Sequence, residues 1–278
     1  MKVVSSIADL RSELAPRRVG GHTVAFVPTM GALHEGHLSL IRAARTAAHI
    51  VVVSIFVNPL QFGANEDFDS YPRDEQGDRR AAEETGTDLL FVPQVEEIYP
   101  PAAATTVSAG SLGTVLEGED RPGHFDGVCT VVAKLFNIVA PDVAFFGQKD
   151  AQQVAVIRKM VADLNFQVGV EVCPTVREAD GLALSSRNRY LSSEERSRAT
   201  ALYEALRSGR DLLLDDADLD TVEKKMWEQL AERGLQPSYA RIVDPDTFAP
   251  SRKDGRRLLV VAARLGSTRL IDNLLIEE

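Results

Sequence analysis

Two histidines around a glycine, His34 and His37 flanking Gly36, are the residues here best suited by type and spacing to do chemistry. They follow the apolar, β-rich run Val24–Val27, which is punctuated by Pro28 and Gly31, and they precede Leu38, Ile41 and Ala44 at helical spacing. The pattern predicts a strand-to-helix turn. Both imidazoles would project from one face of the first helical turn, with Gly36 leaving room for a ligand to approach the backbone. Imidazole N–H donors, free backbone N–H groups and the positive end of the helix dipole make an anion site suited to a nucleotide's phosphate chain. Two other readings use the same residues, a purely structural pair and a zinc site. Zinc fits less well, because helical histidine ligands need a four-residue spacing and a third ligand, which the nearby sequence does not offer.

Four further polar clusters fall just past predicted strands or at a junction. Asn58 and Gln61, in Asn58-Pro59-Leu60-Gln61, are neutral amides able to read a carboxylate without quenching its nucleophilicity, or they simply form a turn. Gly147, Gln148, Lys149 and Asp150 open a helix. A lysine there suits a phosphate partner, with Gln153 one turn on; the alternative is a solvated lysine beside an N-capping Asp. Ser185, Ser186 and Arg187 lie on a glycine-containing loop that reads as a mobile phosphate clamp or as a linker. Arg121 and His124 mark a polar turn that lines a site or merely precedes a helix.

These clusters need elements to position them. Periodicity predicts helices at 5–18, 37–48, 73–86, 126–139 and 151–164, alternating with strands at 22–28, 49–57, 88–93, 142–147 and 167–172 and a weak strand at 105–108. Alternation of this kind implies an α/β doubly wound parallel sheet, Rossmann-like, which binds ligands beyond its strand C-termini where the strand order reverses. After residue 185 the texture changes to helices at 193–214 and 221–233 and strands at 239–243, 257–264 and 268–276, a small antiparallel α+β unit. The expected division is therefore 1–184 and 185–278.

The 278 residues are 44% apolar with a net charge of −10, which suits a globular chain with a real core and argues against a nucleic-acid surface. No run approaches a membrane span, and no signal-peptide core opens the chain. Cys129 and Cys173 are isolated. A cytoplasmic setting with reduced thiols is the expectation.

Six stretches, in order, resemble the pantoate–β-alanine ligase family: Pro28–His37, Phe56–Gly63, Tyr71–Arg73, Arg121–Val128, Phe145–Gln153 and Ser185–Asn188. This family belongs to the nucleotidyltransferases that share a His-x-Gly-His phosphate site. The resemblance implies ATP-dependent condensation of pantoate with β-alanine through a pantoyl-adenylate, releasing AMP and pyrophosphate. By the same resemblance Met30, Gly31, Ala32, Leu33, His34, Glu35, Gly36 and His37 line the ATP site, and Gly147 to Asp150 with Val176 contact the ribose and adenine. Leu184 to Arg187 close over the phosphates. Gln61 and Gln153 hold pantoate, with Met30, Asn58, Arg121 and His124 nearby. His34, His37, Lys149 and Arg187 are the expected positive partners for charge developing on the phosphoryl oxygens. A homodimer, and Mg²⁺ carried by ATP rather than by a protein cage, are implied likewise. Leu184 stands where the family often has Met, and Gln148 where Glu is common. Two rivals remain at this point: another adenylyl- or cytidylyltransferase, and an NAD-binding Rossmann protein, which the absence of Gly-x-Gly-x-x-Gly in the first βα turn disfavours.

Overall fold

The computed structural model describes residues 1–64, 66–252 and 255–276. Its first part runs β1 (Lys2–Val4), α1 (Ile7–Val19), β2 (Val24–Thr29), α2 (Glu35–Ala47), β3 (Ile50–Ile55), α3 (Glu75–Glu84) and β4 (Leu89–Phe91). It continues through the short helices α4 (Val95–Ile98) and α5 (Glu117–Asp120) to α6 (His124–Val139), β5 (Val143–Gly147), α7 (Ala151–Asp163) and β6 (Gly169–Cys173). The six strands form one parallel sheet in the order β1-β4-β3-β2-β5-β6. Strand β2 explains why both faces are covered. Val24 and Phe26 pack into the cluster with Leu10, Leu14 and α6, while Ala25 and Val27 pack against Leu40, Ile41 and Ala44 of α2.

The second part comprises α8 (Ser193–Arg198), α9 (Ala201–Leu214), α10 (Leu219–Glu232) and the antiparallel sheet β7 (Gln236–Val243), β8 (Arg257–Leu265) and β9 (Thr268–Ile276). Its apolar cluster joins Leu202 and Leu206 of α9 to Met226 of α10 and Leu259 and Val261 of β8. Leu182 belongs to that cluster too, and Arg177 is ion-paired to Asp272 at 2.6 Å. The segment between the two parts touches both, since Ser186 lies against the Tyr71 hydroxyl and Arg187 is ion-paired to Asp67.

Two expected elements differ from the structure, each through a specific hydrogen bond, and one strand, β1, had no expectation. No strand forms at 105–108, because the Val107 N–H donates to Thr130 Oγ1 (2.9 Å) and the Ala109 N–H to Asp126 Oδ1 (2.7 Å), both on α6. The single helix expected at 193–214 is interrupted between α8 and α9. There Thr200 Oγ1 donates to the Ser197 carbonyl at 3.1 Å and competes with the helical ladder. Strand β1 is too short at 3 residues to show a period.

The order of the sheet reverses between β2 and β5, and there the pairing stops early. The β2–β3 ladder runs to Thr29↔Ile55, whereas β2 and β5 pair only at Ala25↔Val143 and Phe26↔Ala144. The Val24 carbonyl faces the β5 side, accepting from Asp142 N, while the Thr23 and Thr29 carbonyls face β3. By strand alternation Pro28 also faces β5, and it has no N–H to extend that ladder. The strands part beyond Phe26 and leave a crevice at their C-terminal ends.

Candidate active site

The crevice holds a pocket of about 220 Å³ that opens into an interlobe cleft of about 1000 Å³. Arg121, His124, Lys149, Asp150, Gln153 and Arg187 border both spaces.

After β2 the backbone turns through Gly31 (φ 84°) and Ala32 (φ 49°), both left-handed, and reaches His34 as the N-cap of α2. Asp78 of α3 holds this turn, accepting from Ala32 N (2.8 Å) and Leu33 N (2.6 Å). Gly31, Ala32, Leu33 and Glu35 therefore lie outside the lining, the amides of Ala32 and Leu33 on Asp78 and the Glu35 carboxylate on Arg42. Met30, His34, Gly36 and His37 do line the pocket.

The two imidazoles stand 4.2 Å apart, centroid to centroid. His34 Nδ1 accepts from the Gly36 N–H (3.2 Å), and His37 Nδ1 accepts from the His34 N–H (3.4 Å). A ring whose Nδ1 accepts carries its proton on Nε2 when neutral, so the backbone selects the same tautomer in both. Burial, then the charge of Lys149, pushes His34 down to about 4. Burial, then His34, pushes His37 to about 3. With only protein groups around them the two rings are therefore neutral N–H donors near pH 7, because they are buried beside a lysine. The helix amides expected to meet an anion are also engaged locally: Gly36 N bonds to the His34 ring, and His37 N to the His34 carbonyl at 2.8 Å. Gly36 lines the pocket and has a local task as well. A Cβ there would lie 2.9 Å from His34 Cε1, so glycine makes room for the N-capping imidazole itself.

On the opposite wall, buried Asn58 has all its hydrogen-bonding capacity taken. Its Nδ2 donates to Gln61 Oε1 and to the Gly127 carbonyl, both at 3.1 Å, and its Oδ1 accepts from Leu60 N (3.3 Å) and the Tyr99 hydroxyl (2.8 Å). Asn58 is therefore a support for Gln61 rather than a substrate ligand. Holding Oε1 turns the Gln61 Nε2 toward Met30 Sδ (3.1 Å) and the pocket. Gly127 permits this approach, since a Cβ there would sit 2.3 Å from the Leu60 carbonyl oxygen.

Arg121 and His124 are likewise committed internally. Arg121 grips Glu66 through Nε (2.8 Å) and Nη2 (2.5 Å). His124 Nδ1 bonds the Gln61 carbonyl at 2.8 Å, and its Nε2 faces Arg121 Nη1 at 3.1 Å. Burial, then Arg121, lowers His124 to about 4. Both border the cleft, and both fix the Gln61 backbone. Gln153 differs: among the described residues its amide has no hydrogen-bond partner, and it faces both spaces.

Of the nucleotide-side expectations, Gly147, Lys149, Asp150, Val176, Leu184 and Arg187 line the pocket, and Ser185 lines the cleft. Gln148 lines neither. It turns to the second lobe, its Nε2 donating to Asn273 Oδ1 at 3.2 Å. Ser186 is buried against the Tyr71 hydroxyl at 3.2 Å. Arg187 is bidentate to Asp67, with Nε at 3.1 Å and Nη2 at 2.9 Å. Burial works against its charge, but Asp67 outweighs that and raises its pKa above the ordinary value. Asp67, Asp78, Glu66 and Tyr99 carry no sequence signal that marks them as site residues. Tyr71 alone sat within a recognisable stretch.

A family model described as pantoate-beta-alanine ligase matches residues 2–275. The curated pantothenate synthetase of Caldicellulosiruptor saccharolyticus is 50% identical over 280 residues, covering 100% of both chains. The crystal structure of pantothenate synthetase from Thermus thermophilus superposes with a TM-score of 0.94 at 49% identity, over 99% of each chain. That of the Francisella tularensis pantoate-beta-alanine ligase, complexed with beta-gamma ATP and beta-alanine, gives 0.83 at 35% identity, over 99% of this chain and 97% of that one. With a family match along nearly its whole length, and with its strand order and histidine turn already in place, this chain belongs to the pantoate–β-alanine ligase family.

Proposed function

We propose that the protein catalyses ATP-dependent condensation of pantoate with β-alanine, with the reacting groups gathered in the β2/β5 crevice. The carboxylate of pantoate attacks the α-phosphorus of ATP, pyrophosphate leaves, and a pantoyl-adenylate remains. The amine of β-alanine, once neutral, attacks the acyl carbon, and AMP leaves with the bonding pair.

The observation carrying this reading is that one pocket is lined by two complementary sets of residues. One set offers the amides Gln61 and Gln153 with an apolar wall of Phe56, Val131, Val132 and Phe146. That wall suits the methyl groups of pantoate, and neutral amides orient a carboxylate while leaving it nucleophilic. The other set offers the Nε2–H donors of His34 and His37 beside Lys149 and Arg187. These are directed donors and fixed cations for charge developing on phosphoryl oxygens. The rigid turn held by Asp78 makes the donors preorganised, so little reorganisation accompanies the reaction. The 182–187 segment, joined to both lobes, is suited to excluding water from the adenylate.

Among the described residues no group of three or more His, Cys, Asp or Glu side chains is placed to hold a cation. As the family resemblance implies, Mg²⁺ would take its oxygens from the ATP phosphates and supply further charge neutralisation there. The family resemblance also supports a homodimer and a cytoplasmic setting; no described helix is long and apolar enough to cross a membrane.

ATP–pyrophosphate exchange with pantoate present and β-alanine withheld tests the reading. Exchange that requires pantoate is the expected outcome. Folded protein that binds ATP but gives no such exchange would mean a different acid substrate.

A further inference from the structure

Lys149 faces both spaces of the site. It lies in a 3-10 turn, Gln148–Asp150, that joins β5 directly to α7 and has no side-chain cap, and Asp150 stands 3.6 Å from its ammonium. The side-chain support of this turn comes from the far end of the chain. Buried Asn273, on β9 of the second lobe, donates through Nδ2 to the carbonyls of Gln148 and Lys149, each at 2.9 Å. Its Oδ1 accepts from Gln148 Nε2 at 3.2 Å. One carboxamide thus makes three bonds to two consecutive residues, and both amide hydrogens are taken.

The preceding residue reaches the other flank of the site. Asp272, also buried, is bidentate to Arg177 at 2.6 and 2.9 Å and accepts the Asn273 N–H at 2.8 Å. Arg177 in turn donates to the Gly181 carbonyl at 3.0 Å and lies 3.9 Å over the Tyr203 ring. Asn273 is therefore itself fixed, through its backbone, on a buried ion pair.

We infer that Asn273 is a positioning residue for adenylation: the last strand of the second lobe sets where Lys149 stands, and ties that position to the segment entering the 184–187 clamp. The inference rests on the reading of Lys149 as a nucleotide-phosphate contact. Direct contact between Asn273 and a substrate is the weaker alternative, since its donors already have acceptors. Displacing Lys149 weakens a charge-assisted contact to phosphate, so a loss on the order of tenfold in ATP affinity follows from removing the three bonds.

The test is a thermodynamic cycle on ATP affinity, measured by calorimetric titration of MgATP into the full chain without pantoate. The variants are Asn273→Ala, Lys149→Ala and the double substitution. Expected are an approximately tenfold weaker Kd for Asn273→Ala in the wild-type background and a change within about twofold in the Lys149→Ala background. Equal weakening in both backgrounds overturns the inference, as does wild-type affinity in Asn273→Ala. Asn273→Asp, of the same size but without the donors, is carried in parallel. Loss of the folded melting transition in both variants would make Asn273 a structural residue and overturn the inference as well. Lys149→Ala without effect on ATP affinity would instead remove the reading beneath it. Pantoate-dependent exchange by the wild type reports on the proposed reaction separately.

Discussion

Replacing Gly36 by alanine separates the stability of α2 from the placement of His34. The added Cβ would lie 2.9 Å from His34 Cε1 and 3.0 Å from its Nδ1, on a backbone that alanine otherwise accepts. Ordinary contact begins near 3.4 Å, so the ring must retreat by at least about 0.5 Å. That movement also loosens the bond from Gly36 N to Nδ1, which fixes the tautomer. If a misplacement of ~1 Å is worth ~10²-fold, half of that is worth roughly tenfold in the adenylation rate. Helix propensity acts in the other direction: alanine stabilises a helix by up to about 1 kcal/mol over glycine, which for a chain of this size leaves Tm unchanged or raised by up to roughly 4 °C. The assay is pantoate-dependent pyrophosphate exchange alongside a melting curve. A Gly36→Ala protein with wild-type exchange would refute the argument that the imidazole's position is critical. A large fall in Tm would refute the argument that glycine is there only for the ring.

Acidification tests the buried histidines. His34, His37 and His124 have pKa values of about 4, 3 and 4, below the ordinary 6.5, so between these limits the unfolded chain binds protons that the folded chain refuses. Their contribution is therefore present above pH ~6.5 and is lost as pH falls toward ~4, at up to about 1.4 kcal/mol per pH unit per proton. Urea midpoints between pH 7 and 4.5 should fall, and His124→Asn should flatten the decline; equal slopes would count against the assignment. Asp67→Asn removes an anion that shares Arg187 with the nucleotide, and for a half-buried pair worth ~1 kcal/mol the Kd for ATP should tighten about fivefold. Weaker binding would mean that Asp67 orients Arg187 instead of competing for it. Gln153→Ala, whose amide has no partner to release among the described residues, should raise the pantoate KM with ATP affinity little changed, and the reverse split would remove Gln153 from the pantoate side.

The α/β sheet, the crevice and the histidine turn were legible because each leaves a local signal. Continuous apolar runs mark two-sided strands, and a proline and glycine mark where the chain leaves the sheet. Apart from the 193–214 helix, split by the local bond from Thr200 to the Ser197 carbonyl, the features that the sequence did not show depended on distant partners. Thr105–Ser108 has strand-forming residues, but its amides find side chains on α6. Asn58, Arg121 and His124 are the polar types a ligand would want, and the structure employs them on Gln61; only the count of their bonds separates a ligand from its support. Gln148 looks like part of a phosphate turn until Asn273 is brought beside it, 125 residues away in sequence. Asp78 was invisible for the same reason, since an aspartate in a charged helix gives no hint that it caps the 31–33 turn. The lowered pKa of the histidines is a further point that the sequence does not show. Residue type suggested cations, but burial decides protonation, and burial is a property of the fold.

The early parting of β2 from β5 has a consequence for how this protein can change. Pro28 faces β5 with no N–H, and it lines the pocket. Any other residue at 28 would bring a backbone donor to that lip of the crevice, to be met by water, by a ligand or by β5. A substitution there alters the polarity of the crevice without touching one of the charged or amide side chains around it.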